Sequence, residues 1–219
     1  MPAAPRIALI HATPIAMEPI HACFVSAWPE AETINILEDS LSPDRAKVAE
    51  LTEGLTKRIA ALAAYGVQAG SDAVLFTCSA FGQAIEKAAA ELPVPVLKPN
   101  EAMFEAAISQ GGRTAMLYTF PPARKGMEEE FLEEARRLQP SATIKSFLVD
   151  GAIEAIRGGD VETHNRLVAN AAARLRGFDA IMLAHFSTAR ALEPVQAVTK
   201  IPVFGSPDAA VAKLRKLLA

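Results

Sequence analysis

The sequence predicts an α/β protein of two similar lobes. Each lobe carries a four-stranded parallel sheet, an approximate two-fold axis relates them, and the site lies in the cleft between. Three observations predict this. First, short apolar runs rich in strand formers alternate with longer helical patterns along the whole chain, as in parallel sheets covered by helices. Second, the run Asp72-Ala73-Val74-Leu75-Phe76 reads as a strand buried on both faces. It ends in Thr77-Cys78-Ser79-Ala80, before a helical pattern from about Gly82. Third, residues 179–190 repeat the pattern of 72–83 at an offset of 107 (179 − 72). The same offset carries Val94-Pro95-Val96 onto Ile201-Pro202-Val203 and Arg6-Ile7-Ala8-Leu9-Ile10 onto Arg113-Thr114-Ala115-Met116-Leu117. Three segments in one register indicate a duplicated unit, although the middle of each half aligns only with small insertions.

The elements follow in order. Residues 6–10 are a strand of aliphatic residues, and 11–14 a loop at its carboxyl end. Residues 18–28 have helical spacing, stopped by Pro29. Residues 33–37 are a second strand and 38–43 a polar turn. Asp44 suits the start of a helical region reaching Gln68, with Gly54 as a break. The strand before Cys78 comes third, its helix runs to Glu91, and 93–97 is a fourth strand. A helix over 99–110 ends at Gly111-Gly112. In the second half, 113–118 is a strand, 119–126 a loop, and 127–139 a helix. That helix has acidic residues near its start and Arg136-Arg137 near its end, as the macrodipole favours. Residues 143–149 form a strand, 152–157 a short helix, 160–176 a helix, 180–183 a strand, 190–198 a helix, 201–204 a strand and 207–218 the last helix. The first lobe is expected over 1–98, completed by the C-terminal helix 206–219, and the second over 99–205.

The chain has 219 residues, 51% apolar and 21% charged, an ordinary globular balance with room for a sizeable core. A net charge of −3 without a Lys/Arg patch argues against nucleic acid as partner. No apolar run approaches the roughly 20 residues of a membrane span, and the N-terminal residues 1–5 lack the pattern of a signal peptide. Cys23 and Cys78 make no disulfide framework, so a reducing cytoplasm is expected. His21 and His164 sit on helices expected to be solvated, Cys23 on an apolar helix face. No Cys/His cluster points to a metal, and no glycine-rich phosphate loop is present.

Parallel sheets place ligands outside the carboxyl ends of their strands. Residues related by the offset then face each other: Cys78 and His185, Ser79 and Phe186, Ala80 and Ser187, His11 and Tyr118, Thr13 and Phe120. This lining of one thiol, one imidazole, hydroxyls and aromatics above helix N-termini suits a small carboxylate. Cys78 reads either as a thiolate base or nucleophile activated by the helix end and His185, or as a small core residue. His185 reads as a general acid or base, or as a neutral ring held by backbone hydrogen bonds. His11, with Thr13 and Pro14, lies in a loop that closes one side, or only caps it. Ser79, Thr119 and Ser187 bind a carboxylate or enolate oxygen, or cap the helices that follow. Tyr118 offers a hydroxyl or packs, and Phe81, Phe120 and Phe186 offer apolar surface or belong to the core.

With Phe76-Thr77-Cys78-Ser79-Ala80, Leu117-Tyr118-Thr119 and Leu183-Ala184-His185-Phe186-Ser187 in two repeated halves, the chain resembles the Asp/Glu racemase superfamily. That group includes aspartate, glutamate and hydantoin racemases, maleate isomerase and arylmalonate decarboxylase. The resemblance covers nearly the whole chain and implies flavodoxin-like lobes, a homodimer or higher homo-oligomer, and no pyridoxal phosphate, metal or other cofactor. In its two-base racemases a Cys from each lobe flanks the substrate carbon. The first maps onto Cys78, and the second onto position 185, which is His here. A racemase or epimerase working by Cys-mediated proton transfer on a small carboxylate is therefore expected, with Cys78 and His185 as an unlike pair. The alternatives are a single-Cys decarboxylase of a malonate-type acid, whose thiol in this group lies in the second lobe, a maleate-type cis-trans isomerase, and a non-catalytic binding protein built on the same two lobes.

Overall fold

The computed structural model describes residues 4–219; residues 1–3, at the head of the N-terminal stretch read for a leader and of the first lobe, lie outside the described residues. The first sheet holds β1 (Arg6–His11), β2 (Glu32–Leu37), β3 (Ala73–Phe76) and β4 (Val96–Leu97) in the order β2-β1-β3-β4. The second holds β5 (Arg113–Tyr118), β6 (Thr143–Leu148), β7 (Ala180–Leu183) and β8 (Val203–Gly205) in the order β6-β5-β7-β8. Every pairing is parallel. The central strands β1, β3, β5 and β7 are almost wholly buried, because helices cover both faces, while the edges β2 and β6 are largely half-exposed.

The helices are α1 (Met17–Ala27), α2 (Leu41–Ala46), α3 (Glu53–Gln68), α4 (Gly82–Glu91), α5 (Glu101–Ile108), α6 (Arg124–Leu138), α7 (Ala152–Arg157), α8 (Val161–Ala172), α9 (Leu192–Gln196) and α10 (Ser206–Leu217). Short 3₁₀ turns at Pro14–Ala16, Ser79–Phe81, Pro121–Ala123 and Phe186–Ala191 follow the strands β1, β3, β5 and β7. The repeat reaches individual hydrogen bonds. Arg6 N–H donates to Asp72 Oδ2 at 2.7 Å, and Arg113 N–H to Asp179 Oδ2 at 2.9 Å. Thr77 N–H donates to the Ile10 carbonyl at 3.0 Å, and Ala184 N–H to that of Leu117 at 2.9 Å. Gly70 and Gly177, also 107 apart, both hold a positive φ (81° and 77°), turning the chain into β3 and β7 where a side chain would be strained.

The misalignment within each half is one helical turn. α1 and α6 begin in register, but α6 has 15 residues against 11, so β6 and α7 lie 111 residues beyond β2 and α2 (143 − 32; 152 − 41). The link from α7 to α8, three residues against six between α2 and α3, brings the offset back to 108 at the start of α8 (161 − 53), and it is 107 again at β7 (180 − 73).

Some boundaries differ from expectation. α2 starts at Leu41 and accommodates Pro43 in its first turn, where no intrahelical N–H is needed, so Asp44 is inside the helix and does not cap it. The break lies at 47–52 and not at Gly54; Thr52 caps α3, its hydroxyl accepting from the Leu55 N–H. α6 begins at Arg124, three residues early, and residues 186–191 are a 3₁₀ turn before α9.

The largest core lies between the lobes. It joins Phe76, Phe81 and Ile85 of the first to Met116, Met127 and Phe131 of the second, with Phe104 of α5 edge-on to Phe131 at 5.8 Å. A second core seals the outer face of the first sheet: Ile7, Leu9, Ile20 and Phe24 pack on Ala210, Val211 and Leu214 of α10.

Candidate functional site

Cys78 follows β3 as the last extended residue before the turn Ser79–Phe81. It is half-buried and lines a small cleft, with a cavity of about 30 Å³, together with Thr13, Ser42, Ser79, Phe120, Arg157, His185 and Ser187. Burial pushes its thiol up to about 11, against the Ala80 N–H at the sulfur and the charges of Arg45 and Arg157, which act downward. The activated thiolate expected from the helix end is therefore not what the free protein holds. The physical reason is position: three residues of 3₁₀ turn separate the sulfur from the first turn of α4.

His185 stands at the equivalent end of β7 and lines the same cleft. It is the one non-glycine residue with a positive φ (128°) among the described residues, a conformation that costs about 1–3 kcal/mol. The ring is buried, and its Nε2 accepts the Phe120 N–H at 3.3 Å, which places the proton of the neutral form on Nδ1. Burial, aided by His164, pushes it down to about 3. The geometry fits the neutral, backbone-held ring of the second reading, and desolvation works against a general acid at neutral pH.

Two features at or beside the cleft come from residues that the sequence did not single out, Arg157 and Arg45, and a third from Ser79, which it did. Arg157, at the end of α7, is exposed and has no carboxylate partner among the described residues. Its guanidinium sits over the Phe120 ring at 5.6 Å and donates to Ser42 Oγ at 3.3 Å. Arg45 is buried behind the thiol turn, donating to the carbonyls of Ala80 (3.1 Å), Val48 (2.8 Å) and Pro122 (3.3 Å), one of them across the lobes. Ser79 Oγ is buried without a hydrogen-bond partner.

Of the expected residues, Cys78, His185, Thr13, Ser79, Phe120, Phe186 and Ser187 meet at the cleft. Phe186, fully buried, belongs also to the core beneath it, and Phe81 is core alone. His11, Pro14, Ala80, Tyr118 and Thr119 do not line it. His11 is the last residue of β1 and not part of a loop; its Nδ1 bonds Thr77 Oγ1 and its Nε2 bonds Asn35 Oδ1, each at 2.9 Å. A neutral ring satisfies both when Nε2–H donates and Nδ1 accepts from the hydroxyl, and burial holds its pKa down. Pro14 faces solvent, Ala80 and Tyr118 pack in the inter-lobe core, and Thr119 Oγ1 is buried without a partner. None of Ser79, Thr119 and Ser187 caps a helix: Cys78, Phe120 and His185 occupy the capping positions, and no side chain bonds there. His164 is fully buried and not solvated, sharing the inner stripe of α8 with Val168 and Ala172. Cys23 does pack by the second core, but its thiol also donates to Asp208 Oδ1 at 3.1 Å. Among the described residues no three His, Cys, Asp or Glu side chains converge as a metal ion requires, and no helix is long and apolar enough to cross a membrane.

Fold and cleft define a two-lobed α/β protein of duplicated design with a thiol at the strand ends between its lobes. The profile of the Asp/Glu/Hydantoin racemase family matches residues 10–177, and the chain belongs to that family. Solved structures agree on the fold. Glutamate racemase from Francisella tularensis, solved with D-glutamate, superposes with a TM-score of 0.79 at 16% identity, covering 100% of this chain and 81% of that one. Aspartate racemase from Picrophilus torridus gives 0.74 at 15%, covering 98% and 94%. Allantoin racemase from Klebsiella pneumoniae gives 0.69 at 18%, covering 98% and 88%. No curated protein sequence matches significantly.

Proposed function

We propose a cofactor-independent, racemase-like enzyme that transfers a proton at the carbon beside a small carboxylate, with Cys78 as the transferring group. The observation that carries this reading is the thiol at a strand end in a cleft that also holds Arg157, a cation without a carboxylate of its own. Arg157, Ser42 and Thr13 hold the carboxylate. The hydroxyls of Ser79 and Ser187 stabilise the enolate oxygen, and Phe120 covers the apolar side. Cys78 as thiolate takes the α-proton, leaving the electron pair in the enolate; as thiol it returns a proton to that carbon and is left as thiolate, with inversion when the planar enolate turns its other face to the sulfur before the proton returns.

The unlike pair with His185 is disfavoured. Moving a proton from a thiol near 11 to an imidazole near 3 costs on the order of 10 kcal/mol. That favours a second reading, the single-thiol decarboxylase of a malonate-type acid. There carbon dioxide leaves, its bonding electrons form the enolate, and the Cys78 thiol, already protonated at neutral pH, supplies the proton.

The test is NMR in deuterated water with aspartate, glutamate, hydantoins including allantoin, arylmalonates and maleate, against Cys78→Ala. Proton abstraction needs the thiolate, about one molecule in 10⁴ at pH 7, so Cys78-dependent α-deuteration should rise about tenfold per pH unit from 7 to 9. Carbon dioxide release at a pH-independent rate, with one deuterium in the product, selects the decarboxylase. Full turnover by Cys78→Ala, or binding of these acids without turnover, sinks both readings.

A further inference from the structure

A second contact reaches the thiol turn from the opposite lobe. Glu130 leaves α6 and lays its carboxyl against Gly82, the first residue of α4, so closely that a Cβ on Gly82 would overlap Oε1. Gly82 has a φ of −47°, ordinary for a helix, so glycine serves there as room and not as backbone freedom. α4 has no acidic residue in its first turn and no side-chain cap of its own. Glu130 brings a carboxyl from the other lobe to this end of the helix. Its side chain is 10% exposed; Lys98, 16% exposed, stands where the lobes join, 3.6 Å from Oε2, and also pairs with Glu86 of α4.

The repeat shows that this contact is specific to one side. Residues 107 apart from Glu130 and Gly82 are Cys23 and Ala189, so the corresponding positions of the other lobe carry a thiol and a methyl. A buried carboxylate has been built in only behind the turn that carries Cys78.

We propose that Glu130 is a positioning residue for Cys78. Docked from the second lobe on the start of α4 and tied to Lys98, it fixes the turn 78–81 from behind. The assignment rests on the reading of Cys78 as the reacting group. Its titration falls in a useful range. Burial holds the Glu130 carboxyl up at about 7, Lys98 opposing and Glu86 and Glu133 adding to the effect. The remaining charged groups around the same cavity are Arg45 on α2, Glu50 in the α2–α3 link, and Lys125 and Glu129 on α6. Lys98 stays charged: burial alone would lower it, and Glu130, Glu86 and Glu101 outweigh that.

The experiment uses the full chain with Cys23→Ser, so that one thiol remains. Alkylation of Cys78 by iodoacetamide is followed from pH 5.5 to 9. After division by the tenfold rise per pH unit of any thiol, the rate should show a step across pH 7 as Glu130 ionises and its hold on the start of α4 changes. Glu130→Gln, which keeps the shape but not the charge, should remove that step. In parallel, urea stability is measured for Gly82→Ala, Glu130→Ala and the double variant. Gly82→Ala should destabilise strongly alone and weakly with Glu130→Ala, since the methyl then has space. Superimposable alkylation profiles, or additive effects in the cycle, would overturn the assignment. Neither readout needs turnover, so a failure of Cys78→Ala to abolish proton transfer would sink the proposed function separately.

Discussion

His185 should make the protein sensitive to acid, and the size of the effect follows from its burial. Its folded value near 3 lies below the ordinary 6.5, so folding favours the neutral ring. That contribution is fully present above pH 6.5 and is lost as pH falls toward 3, at about 1.4 kcal/mol per pH unit. Asn is the substitution of choice, because it tolerates a positive φ and keeps an acceptor for the Phe120 N–H. Urea titrations would be followed by far-ultraviolet circular dichroism from pH 7.5 to 4.5. Between pH 6.5 and 5, wild type should lose about 2 kcal/mol more than His185→Asn. The melting temperatures should diverge by about 4–8 °C over the same interval. His11 and Glu130 titrate in both proteins and cancel in the difference, while the effect of His164 on His185 is part of what the substitution removes. Parallel pH dependences with unchanged m-values would refute the reasoning, since they would mean that His185 is protonated as readily in the folded chain as in the unfolded one.

Other substitutions separate binding from framework. Arg157→Met should raise KM for a carboxylate substrate about 10–100-fold, the loss of one charged hydrogen bond, and should slow Cys78 alkylation by removing a cation that lowers the thiol. His11→Phe should cost about 1–3 kcal/mol in urea by leaving the Thr77 hydroxyl without its imidazole partner, with Cys78 alkylation little changed. Gly70→Ala and Gly177→Ala should each cost about 1–2 kcal/mol, and near-equal losses would verify that the two halves make the same turn.

The parts of the fold that were legible from sequence are those where buried strands impose continuous apolar runs. Asp72 and Asp179, each before such a run, mark the register that the backbone confirms bond by bond. The cleft residues from strand ends, Cys78, His185, Thr13 and Phe120, came out of that register. Arg157, Ser42 and Arg45 did not, and for one cause: α2 and α7 lie where the extra turn of α6 has shifted the offset to 111, so repeat alignment pairs their residues wrongly. A signal for His164 was present, since its spacing of four and eight from Val168 and Ala172 places it on the apolar stripe of α8. The depressed basicity of His185 was not readable, because desolvation depends on what the opposite lobe lays over the ring. The same holds for Gly82, whose purpose appears only once Glu130 is beside it.

The packing of α10 on α1 has a consequence for synthesis. The outer face of the first sheet, with Ile7, Leu9, Ile20 and Phe24, is covered by Ala210, Val211 and Leu214, and Arg215 donates to the Ala27 carbonyl at 2.9 Å. The first lobe thus leaves the ribosome with one apolar face bare and stays so while the whole second lobe is made. At translation rates of roughly 5–20 residues per second, that exposure lasts on the order of 5–20 s. During that interval a growing chain has a sticky surface that the finished chain does not, and the last helix to emerge is the one that closes it.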